Sequence, residues 1–466
     1  MVVYSVSVGQ DSTDGEGSFR VTQEKIMSSV NKFLKRIFGK DIGNNGSDVR
    51  KSTSQGEKPP KIKKEYLEQV IRDTGWSRKK AIETMRNARQ NEGITYYNYT
   101  RFKLYEMTVK EAADFLKKRK LDQEERKKEK KIQAAADRKA YLSRLENKTG
   151  WSPDYAEEQY MQARERTGCT AEEYFLYRFY ELTPEEQNRV FLIRDSRKIT
   201  QKYNVDKHFV NILYNKEQCN EYFSEDIRRA WCVNKRVSEE QFVDLFRNSR
   251  RIFYKPTMGH HGDGAMSFDV TRENIRDLYH TLAEKSYGVV EEYIVQHHRM
   301  QELAPAAVNT LRLATISSNA DRPELNGEHL IFLYASQKMG GVDSVVDNLA
   351  GGGMVASVDM KTGKLSSDAA DDKGNVFSVH PGTGTRIKGF EIPYFHEAVE
   401  MVRRIYEKKK IQGYLGWDIA ITEDGPEIVE VNTSPGVILF QLPQLTEGHF
   451  MKSYMQPYME ETEAEK

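Results

Sequence analysis

The pattern of apolar and polar positions divides the chain into a helical first part and a mixed second part. Aromatic and other apolar residues of the first part recur at helical spacing. From about residue 200 onward, short β-rich runs such as RIFYKP, NTLRLATI, LIFLYASQ and GMVASVDM alternate with helical segments. The pattern therefore predicts a helical domain, at residues 63–199, followed by an α+β or α/β region.

The helical part contains an internal duplication. Residues 66–108 align without a gap with residues 141–183, at an offset of 75 residues. In each copy, Thr-Gly-Trp-Ser indicates the end of one helix and the N-cap of the next. The aromatic positions are predicted to be core, and a protein partner on this domain is a further expectation. The positions in register include Tyr66/Tyr141, Trp76/Trp151, Ala88/Ala163, Gly93/Gly168, Tyr105/Tyr180 and Thr108/Thr183.

Three polar segments complete this outline. Residues 40–62 are rich in Gly, Asn, Ser, Lys and Pro, and we expect residues 1–62 to be a flexible segment and linker. Residues 451–466 are expected to form an acidic tail. Residues 117–131, KKRKLDQEERKKEKK, suit either a nucleic-acid patch or a solvated helix. The interleaved acidic residues favour the helix.

The most informative alternation is GWDIAITEDGPEIVEVN, in which an Asp-Gly step predicts a hairpin turn. Folding about Asp424 places Asp418 opposite Glu430, and we expect Ile428, Glu430 and Asn432 on one face. Facing carboxylates repel each other, whereas a hard divalent cation needs oxygen ligands at close range. The spacing therefore predicts a metal site at Asp418, Glu430 and Asn432. The alternative is a solvated hairpin with its polar residues outward.

Composition narrows the functional classes. The chain has 466 residues, 71 basic and 70 acidic, and a net charge of +1, which gives no overall case for binding nucleic acid or an anionic membrane. Three scattered cysteines predict neither a disulfide framework nor a cysteine-based zinc site. Neither a signal peptide nor a membrane span is expected, so the predicted location is cytoplasmic.

The sequence RIFYKPTMGHHGDGAMSF predicts two strands joined by a glycine-rich loop. Glycines let backbone N–H groups approach phosphate oxygens closely, and a lysine at the end of the first strand adds positive charge. A flexible hairpin without a ligand is the alternative. The candidate phosphate-binding residues here are Lys255, Gly259, Gly262 and Gly264.

Three further segments carry polar residues at or next to predicted strands. VVEEYIV is predicted to be a strand with an acidic pair at its centre. In VNTLRLATI, Arg312 suits a phosphate or carboxylate clamp, with a surface ion pair as the alternative. The segment ASQKMGGVDSVVDNLAGGGMVASVD offers Lys338, Asn348 and Gly351–Gly353. These glycines indicate either a loop over a ligand or a plain turn.

The order of these features resembles the ATP-grasp superfamily, over roughly residues 205–445. EVNTSPG is similar to the metal-binding end of the ribosomal-protein glutamate ligases. Together with QHHRMQELAPAAVNTLRLAT and the hairpin, the set looks most like the sugar-transfer-associated ATP-grasp proteins, and the helical duplication resembles their amino-terminal half. The resemblance implies an α+β ATP-grasp fold, with lobes at residues 200–300 and 301–450 enclosing ATP.

The resemblance also implies roles for individual residues. Arg312 and Lys338 would be catalytic and would neutralise the transferring phosphoryl group. Asp418, Glu430 and Asn432 would hold two Mg²⁺ ions. The implied nucleotide-binding residues are Lys216, Lys255, Gly259, Gly262, Gly264 and Asn348, with Glu291, Glu292, Tyr293 and Ile294 at the adenine hinge.

The reaction implied is the joining of a small-molecule carboxylate and an amine through an acyl phosphate. The family name suggests a setting in polysaccharide or glycan modification. The usual acidic ribose ligand has no clear match; its position holds His298 or lies near Glu302. Two other functions stay open: an ATP-grasp kinase, and a non-catalytic nucleotide-sensing protein, against which the intact metal-type residues argue.

Overall fold

The computed structural model describes residues 62–92, 94, 99, 109–257, 264–342, 344 and 346–460. Residues 1–61 of the predicted flexible segment lie outside the described residues, as do Gly259 and Gly262. The chain divides into two compact units, Met1–Leu121 and Asp122–Lys466. The second copy of the repeat therefore belongs to the same unit as the sheets described below.

Helices occur in both units, and all the strands of the described residues lie in the second. The α-helices are α1 (Lys64–Thr74), α2 (Arg78–Glu92), α3 (Val109–Thr149), α4 (Pro153–Thr167), α5 (Ala171–Leu176), α6 (Pro184–Arg189), α7 (Ile193–Tyr203), α8 (Lys207–Tyr214), α9 (Lys216–Tyr222), α10 (Glu239–Phe246), α11 (Ile275–Glu284), α12 (His298–Gln301), α13 (Phe395–Lys409), α14 (Val437–Leu445) and α15 (Lys452–Met459). Short 3₁₀ helices cover Phe179–Glu181, Pro323–Leu325 and Leu349–Gly351. The strands are β1 (Trp231–Val233), β2 (Arg251–Pro256), β3 (Met266–Asp269), β4 (Gly288–Glu292), β5 (Thr310–Ser317), β6 (Leu330–Met339), β7 (Met354–Val358), β8 (Ala369–Asp371), β9 (Val376–Phe377), β10 (Gly413–Thr422) and β11 (Gly425–Asn432).

Both copies of the repeat make the predicted helix stop. Helices α1 and α3 end at Thr74 and Thr149, whose hydroxyls donate to carbonyls one turn earlier at 2.6 and 2.8 Å. Gly75 and Gly150 follow with φ of 66° and 74°, a conformation that glycine adopts without strain. Ser152 then caps α4 by accepting a backbone N–H of its first turn. The helix stop and the cap are therefore confirmed.

The helices of the second copy pack against one another. Buried residues of α3, α4 and α5, among them Leu145, Tyr160 and Tyr174, form one hydrophobic cluster. Trp151 and Tyr180 pack against it. The prediction that these aromatic positions are core is confirmed for the second copy.

A four-stranded antiparallel sheet, in the order β1-β4-β2-β3, forms the first lobe. Its buried face packs on α10 and α11 through a cluster that includes Phe242, Phe246, Leu282, Ile252 and Val290. The predicted strand RIFYKP is β2, and the predicted strand VVEEYIV ends earlier than expected, at Glu292.

A seven-stranded antiparallel sheet, in the order β11-β10-β5-β6-β7-β8-β9, forms the second lobe. Helix α13 covers one face, with Phe395, Met401 and Ile405 in the main hydrophobic cluster. Because every strand pair of both sheets is antiparallel, the class is α+β rather than α/β.

The two helices after β11 pack against other elements of the second unit. Helix α14 contributes Leu442 to the cluster of the second repeat, and its Phe440 stacks on Tyr334 of β6 at 3.8 Å. Helix α15 lies within the predicted acidic tail, and its Met455 is buried. Among the described helices, none is long and apolar enough to cross a bilayer.

Candidate functional site

One cavity gathers most of the predicted site residues. It has a volume of about 580 Å³ and is lined by residues of both sheets and of the second repeat. A smaller cavity of about 310 Å³ shares Lys216, Lys255, Glu291, Glu430 and Asn432 with it. The predicted residues that line the main cavity are Lys216, Lys255, Glu291, Glu292, Tyr293, Ile294, Arg312, Lys338, Asn348, Asp418, Glu430 and Asn432.

The hairpin of β10 and β11 places the two predicted carboxylates opposite each other. Asp418 pairs with Glu430 in register, as predicted. A bulge after Asp418 shifts the ladder, so that Ile419 pairs with Ile428. The expectation that Ile428 shares a face with Glu430 was wrong. Ile428 lies in the hydrophobic core, whereas Val429 and Glu430 both line the cavity.

Asp418 is buried and bound by two cations. Arg312 lies opposite it on β5 and donates from Nε and Nη2 to its two oxygens at 2.6 and 2.7 Å. The Nζ of Lys338 lies 3.3 Å from Oδ2. Burial alone would raise the pKa of Asp418, but Arg312 and Lys338 together lower it to about 2. The carboxylate is therefore ionised at neutral pH.

Arg312 is a buried ion-pair partner, and the alternative of a surface pair was wrong. Its Nη1 donates to the carbonyl of Pro435 at 2.6 Å. A guanidinium has five N–H donors, and three are used in these contacts. These contacts fix Arg312 against Asp418 and leave two of its N–H groups without a hydrogen bond to the described residues.

Asp347 is a second carboxylate that contacts Lys338, and it was not predicted as a site residue from the sequence. Its Oδ1 lies 3.4 Å from Lys338 Nζ, and its Oδ2 accepts hydrogen bonds from the backbone N–H and the hydroxyl of Thr310. Burial lowers the pKa of Lys338, but Asp347 and Asp418 raise it by more, so the ammonium stays charged. The sequence feature that could have indicated Asp347 is its position directly before the candidate Asn348.

Glu430 differs from Asp418 in having no hydrogen-bond or ion-pair partner among the described residues. It is exposed to the cavity, and no described residue forms a hydrogen bond or an ion pair with it. Asn432, two residues on, donates to Asp418 Oδ2 at 3.3 Å. Two carboxylates and an amide oxygen within one short ladder are the hard ligands that Mg²⁺ prefers. This donor set fits Mg²⁺ chemically.

Lys255 belongs to a buried charge network that joins the two lobes. Its Nζ donates to Glu291 at 2.7 Å. Glu291 also accepts from Arg229 at 3.2 Å and from Asn220 at 2.8 Å. Arg229 in turn donates to Glu427 of β11 at 3.1 Å. Burial would raise the pKa of Glu291, but Arg229 and Lys255 hold it well below its usual range.

Two of the predicted hinge residues, Glu291 and Glu292, end β4, and the other two, Tyr293 and Ile294, follow it. The Tyr293 N–H donates to the carbonyl of Arg251 at 2.9 Å, which extends the sheet pairing by one residue. Phe253 lies 6.5 Å from the Tyr293 ring and lines the cavity beside it. Flat aromatic and aliphatic surface at the hinge suits a purine base.

The described candidates His298, Glu302 and Gly264 lie outside the main cavity, whereas Asn348 lines it. His298 and Glu302, the two alternatives for a ribose ligand, do not line the cavity. His298 is bonded to Glu423, and Glu302 to Arg299. Gly264 has φ of 74° and packs near Pro256, and its neighbour Ala265 lines the cavity instead. Asn348 precedes a 3₁₀ helix and lines the cavity.

Sequence similarity assigns the family. The model of the family described as sugar-transfer-associated ATP-grasp matches residues 197–450, which is more than half of the chain. The chain belongs to this family. It therefore has the ATP-grasp fold, with the two α+β lobes described above. No curated protein matches the chain.

Solved structures with similar folds are distant. N5-carboxyaminoimidazole synthetase from Staphylococcus aureus, complexed with ADP, is 11% identical, with a TM-score of 0.30, over 48% of this chain and 46% of that one. D-alanyl-alanine synthetase A from Vibrio cholerae is 13% identical, with a TM-score of 0.32, over 53% and 63%. VanG D-Ala:D-Ser ligase from Enterococcus faecalis is 15% identical, with a TM-score of 0.33, over 53% and 61%. The chain thus spans less than two thirds of each of these chains.

Proposed function

We propose that this ATP-grasp protein joins a carboxylate to an amine at the expense of ATP, through an acyl phosphate. The observation that carries the proposal is one cavity in which Asp418 and Glu430 face each other beside Lys216, Lys255 and Lys338. Phosphoryl transfer requires positive charge around the phosphates and a divalent cation between them. We further propose a cytoplasmic role in saccharide or glycan modification, as the family name and the composition suggest.

The lysines and the hinge would orient ATP. Lys255, held by Glu291, and Lys216 would bind phosphate oxygens, and the backbone near Ile294 would bind adenine. Mg²⁺ held by Asp418, Glu430 and Asn432 would neutralise charge on the transferring phosphoryl group, and the presence of two ions stays a prediction. We assign Arg312 to holding Asp418 in place and Lys338 to neutralising charge.

The reaction proceeds in two steps. An oxygen of the substrate carboxylate attacks the γ phosphorus of ATP, the bond to the bridging oxygen breaks, and ADP leaves. The amine nitrogen then attacks the carbonyl carbon of the acyl phosphate, and phosphate leaves with the electron pair of the C–O bond. The attacking nitrogen, which is an uncharged amine at this step, loses one proton to the released phosphate or to water, and an amide remains. Positioning and electrostatics suffice for both steps, so no protein nucleophile is needed.

The fate of the γ phosphate tests the proposal. Purified protein is incubated with Mg²⁺, γ-labelled ATP and a small-metabolite extract, with and without hydroxylamine. We expect label in free phosphate, and a hydroxamate when hydroxylamine traps the acyl phosphate. Both are expected to be absent in the Glu430→Gln variant. Label that ends on a stable organic product would instead show a kinase and overturn the ligase proposal.

A Lys255→Met variant is expected to raise the KM for ATP by about 10- to 100-fold, because a charge-assisted hydrogen bond to phosphate is lost. Glu291 keeps Arg229 and Asn220, so the fold is expected to survive. Steady-state kinetics of phosphate release measures the change. Lys235→Met, at an exposed turn of the same lobe, is the matched control. An unchanged KM for ATP in Lys255→Met would remove Lys255 from the nucleotide site.

A further inference from the structure

One wall of the main cavity is formed by two helices of the second repeat and by the residue that follows β8. Tyr141 belongs to α3, Glu172 and Leu176 belong to α5, and Asp372 directly follows β8. We call these four residues the repeat wall, because three of them belong to the second copy of the duplication. None of them was predicted as a site residue, and Tyr141 was predicted to be core.

The polar groups of the repeat wall are held in place. The Tyr141 hydroxyl donates to Glu172 Oε1 at 3.1 Å. The guanidinium of Arg144 lies 5.1 Å from the centre of the Tyr141 ring and donates to the backbone carbonyl of Asp372 at 3.4 Å. Contacts with Tyr141 and Arg144 of α3 therefore hold Glu172 and Asp372 at the cavity wall.

The repeat wall carries two carboxylates that form no ion pair within the part of the chain that the structure describes. Oδ1 of Asp372 is shielded from solvent and receives no hydrogen bond from any residue that the structure describes. Within the same residues, neither Glu172 nor Asp372 forms an ion pair with a lysine, arginine or histidine. Burial is the main cause that raises the pKa of both carboxyls, and the nearby Arg144 opposes it only in part. A carboxylate without a donor is costly to bury, and Asp372 lines the cavity, where a ligand with N–H groups would offset that cost.

The repeat wall is connected to the Arg312 side of the cavity. Arg312 donates to the carbonyl of Pro435, just before α14, and Ser336 of β6 donates to the carbonyl of Leu439 within it. Leu439 and Ile438 line the cavity, and the same helix packs into the cluster of the second repeat. The first turn of α14 thus joins the phosphoryl-transfer residues to the repeat wall.

We propose that the repeat wall binds the amine substrate as an ammonium ion, with Glu172 and Asp372 as its anionic partners. The ammonium gives one proton to solvent before the uncharged nitrogen attacks the acyl phosphate. Tyr141 is a positioning residue for Glu172. The proposal rests on the proposed ligase function and names the acceptor class for the same cavity. Carboxylates attract an ammonium and repel both the carboxylate substrate and the phosphates of ATP. The wall therefore selects which substrate enters on this side.

The test separates the two half-reactions. The small-metabolite extract is passed over a cation exchanger, and the bound and unbound fractions are assayed together and apart with γ-labelled ATP. Hydroxylamine, which is uncharged at neutral pH, serves as a second acceptor. In the wild type we expect phosphate release that requires the bound fraction or hydroxylamine. In Glu172→Gln and Asp372→Asn, we expect the half-maximal rate to need about 10- to 100-fold more of the fraction that the cation exchanger retains. We expect the rate of hydroxamate formation with hydroxylamine to be unchanged.

Each outcome has a distinct meaning. Gln at position 172 still accepts the Tyr141 hydrogen bond, so this variant is expected to fold, and its unchanged hydroxamate formation verifies that. Glu165→Gln, on the exposed face of α4, is the matched control. Tyr141→Phe is expected to raise the half-maximal concentration less than Glu172→Gln does, with the maximal rate preserved. Equal use of the bound fraction by wild type and both acidic variants, or acceptor activity in the unbound fraction alone, would overturn the proposal. Absence of hydroxamate in the wild type would contradict the ligase function itself.

Discussion

A Glu430→Gln variant is expected to lose Mg²⁺-dependent turnover by about 100- to 1,000-fold, because a metal ligand supplies several kcal/mol of transition-state stabilisation. The fold is expected to stay intact. Glu430 forms no hydrogen bond or ion pair with any described residue, so Gln leaves no buried partner without its charge. The measurement is phosphate release at several Mg²⁺ concentrations, together with the thermal unfolding midpoint.

The matched control for this variant lies on the same hairpin. Asp424→Asn removes one carboxylate from the exposed turn between β10 and β11. It is expected to leave both turnover and the Mg²⁺ dependence unchanged. Full activity in Glu430→Gln at low Mg²⁺ concentration would show that the facing carboxylates do not hold the cation.

The pairing of Asp418 with Glu430 was predicted correctly, but the bulge that produces this pairing was not predicted. The two-residue turn pairs Thr422 with Gly425, and this register continued without interruption would place Asp418 opposite Val429. The bulge after Asp418 adds one residue to β11 and brings Glu430 opposite Asp418. Alternation predicted the strands and the turn. The bulge has no clear sequence signal, because its extra residue is an ordinary valine.

Partners that are distant in sequence could not be predicted from spacing. Arg229 is separated by 62 residues from Glu291 and by 198 residues from Glu427, and it binds both. Periodicity describes neighbours on one strand or helix, whereas these contacts depend on how two lobes pack. Lys255 was recognised as a nucleotide-binding candidate from the glycine-rich sequence after it. The carboxylate that orients it was assigned to the hinge instead.

The second repeat shows a further limit of pattern reasoning. Aromatic residues at helical spacing were interpreted as core, and Trp151 and Tyr180 confirm it. Tyr141 lies in the same pattern, packs against the same cluster and also extends its hydroxyl to Glu172 in the cavity. A tyrosine has an apolar ring and a polar end, so burial of the ring does not reveal where the hydroxyl points.

An Asp418→Asn variant is expected to lower the free energy of unfolding by about 3–5 kcal/mol, because it leaves the buried Arg312 and Lys338 without their shared anion. Asp347 remains as a partner of Lys338 only. Urea unfolding at neutral pH, without Mg²⁺ and ATP, measures the effect as a shift in midpoint. Glu430→Gln, at the facing carboxylate, is the control that is expected to unfold at the wild-type midpoint.

The difference in unfolding free energy between wild type and Asp418→Asn is also expected to change with pH in a defined direction. The ordinary pKa of an aspartate is about 3.9, and Asp418 has a pKa of about 2 in the folded protein. A lowered folded pKa stabilises the protein above the ordinary value, and this contribution is lost as the pH falls through the folded value. The difference in unfolding free energy between wild type and Asp418→Asn is therefore expected to be constant above about pH 5 and to shrink below about pH 4. A difference that grows on acidification would mean that the carboxyl is protonated in the folded protein, and the ion pair with Arg312 would then not exist.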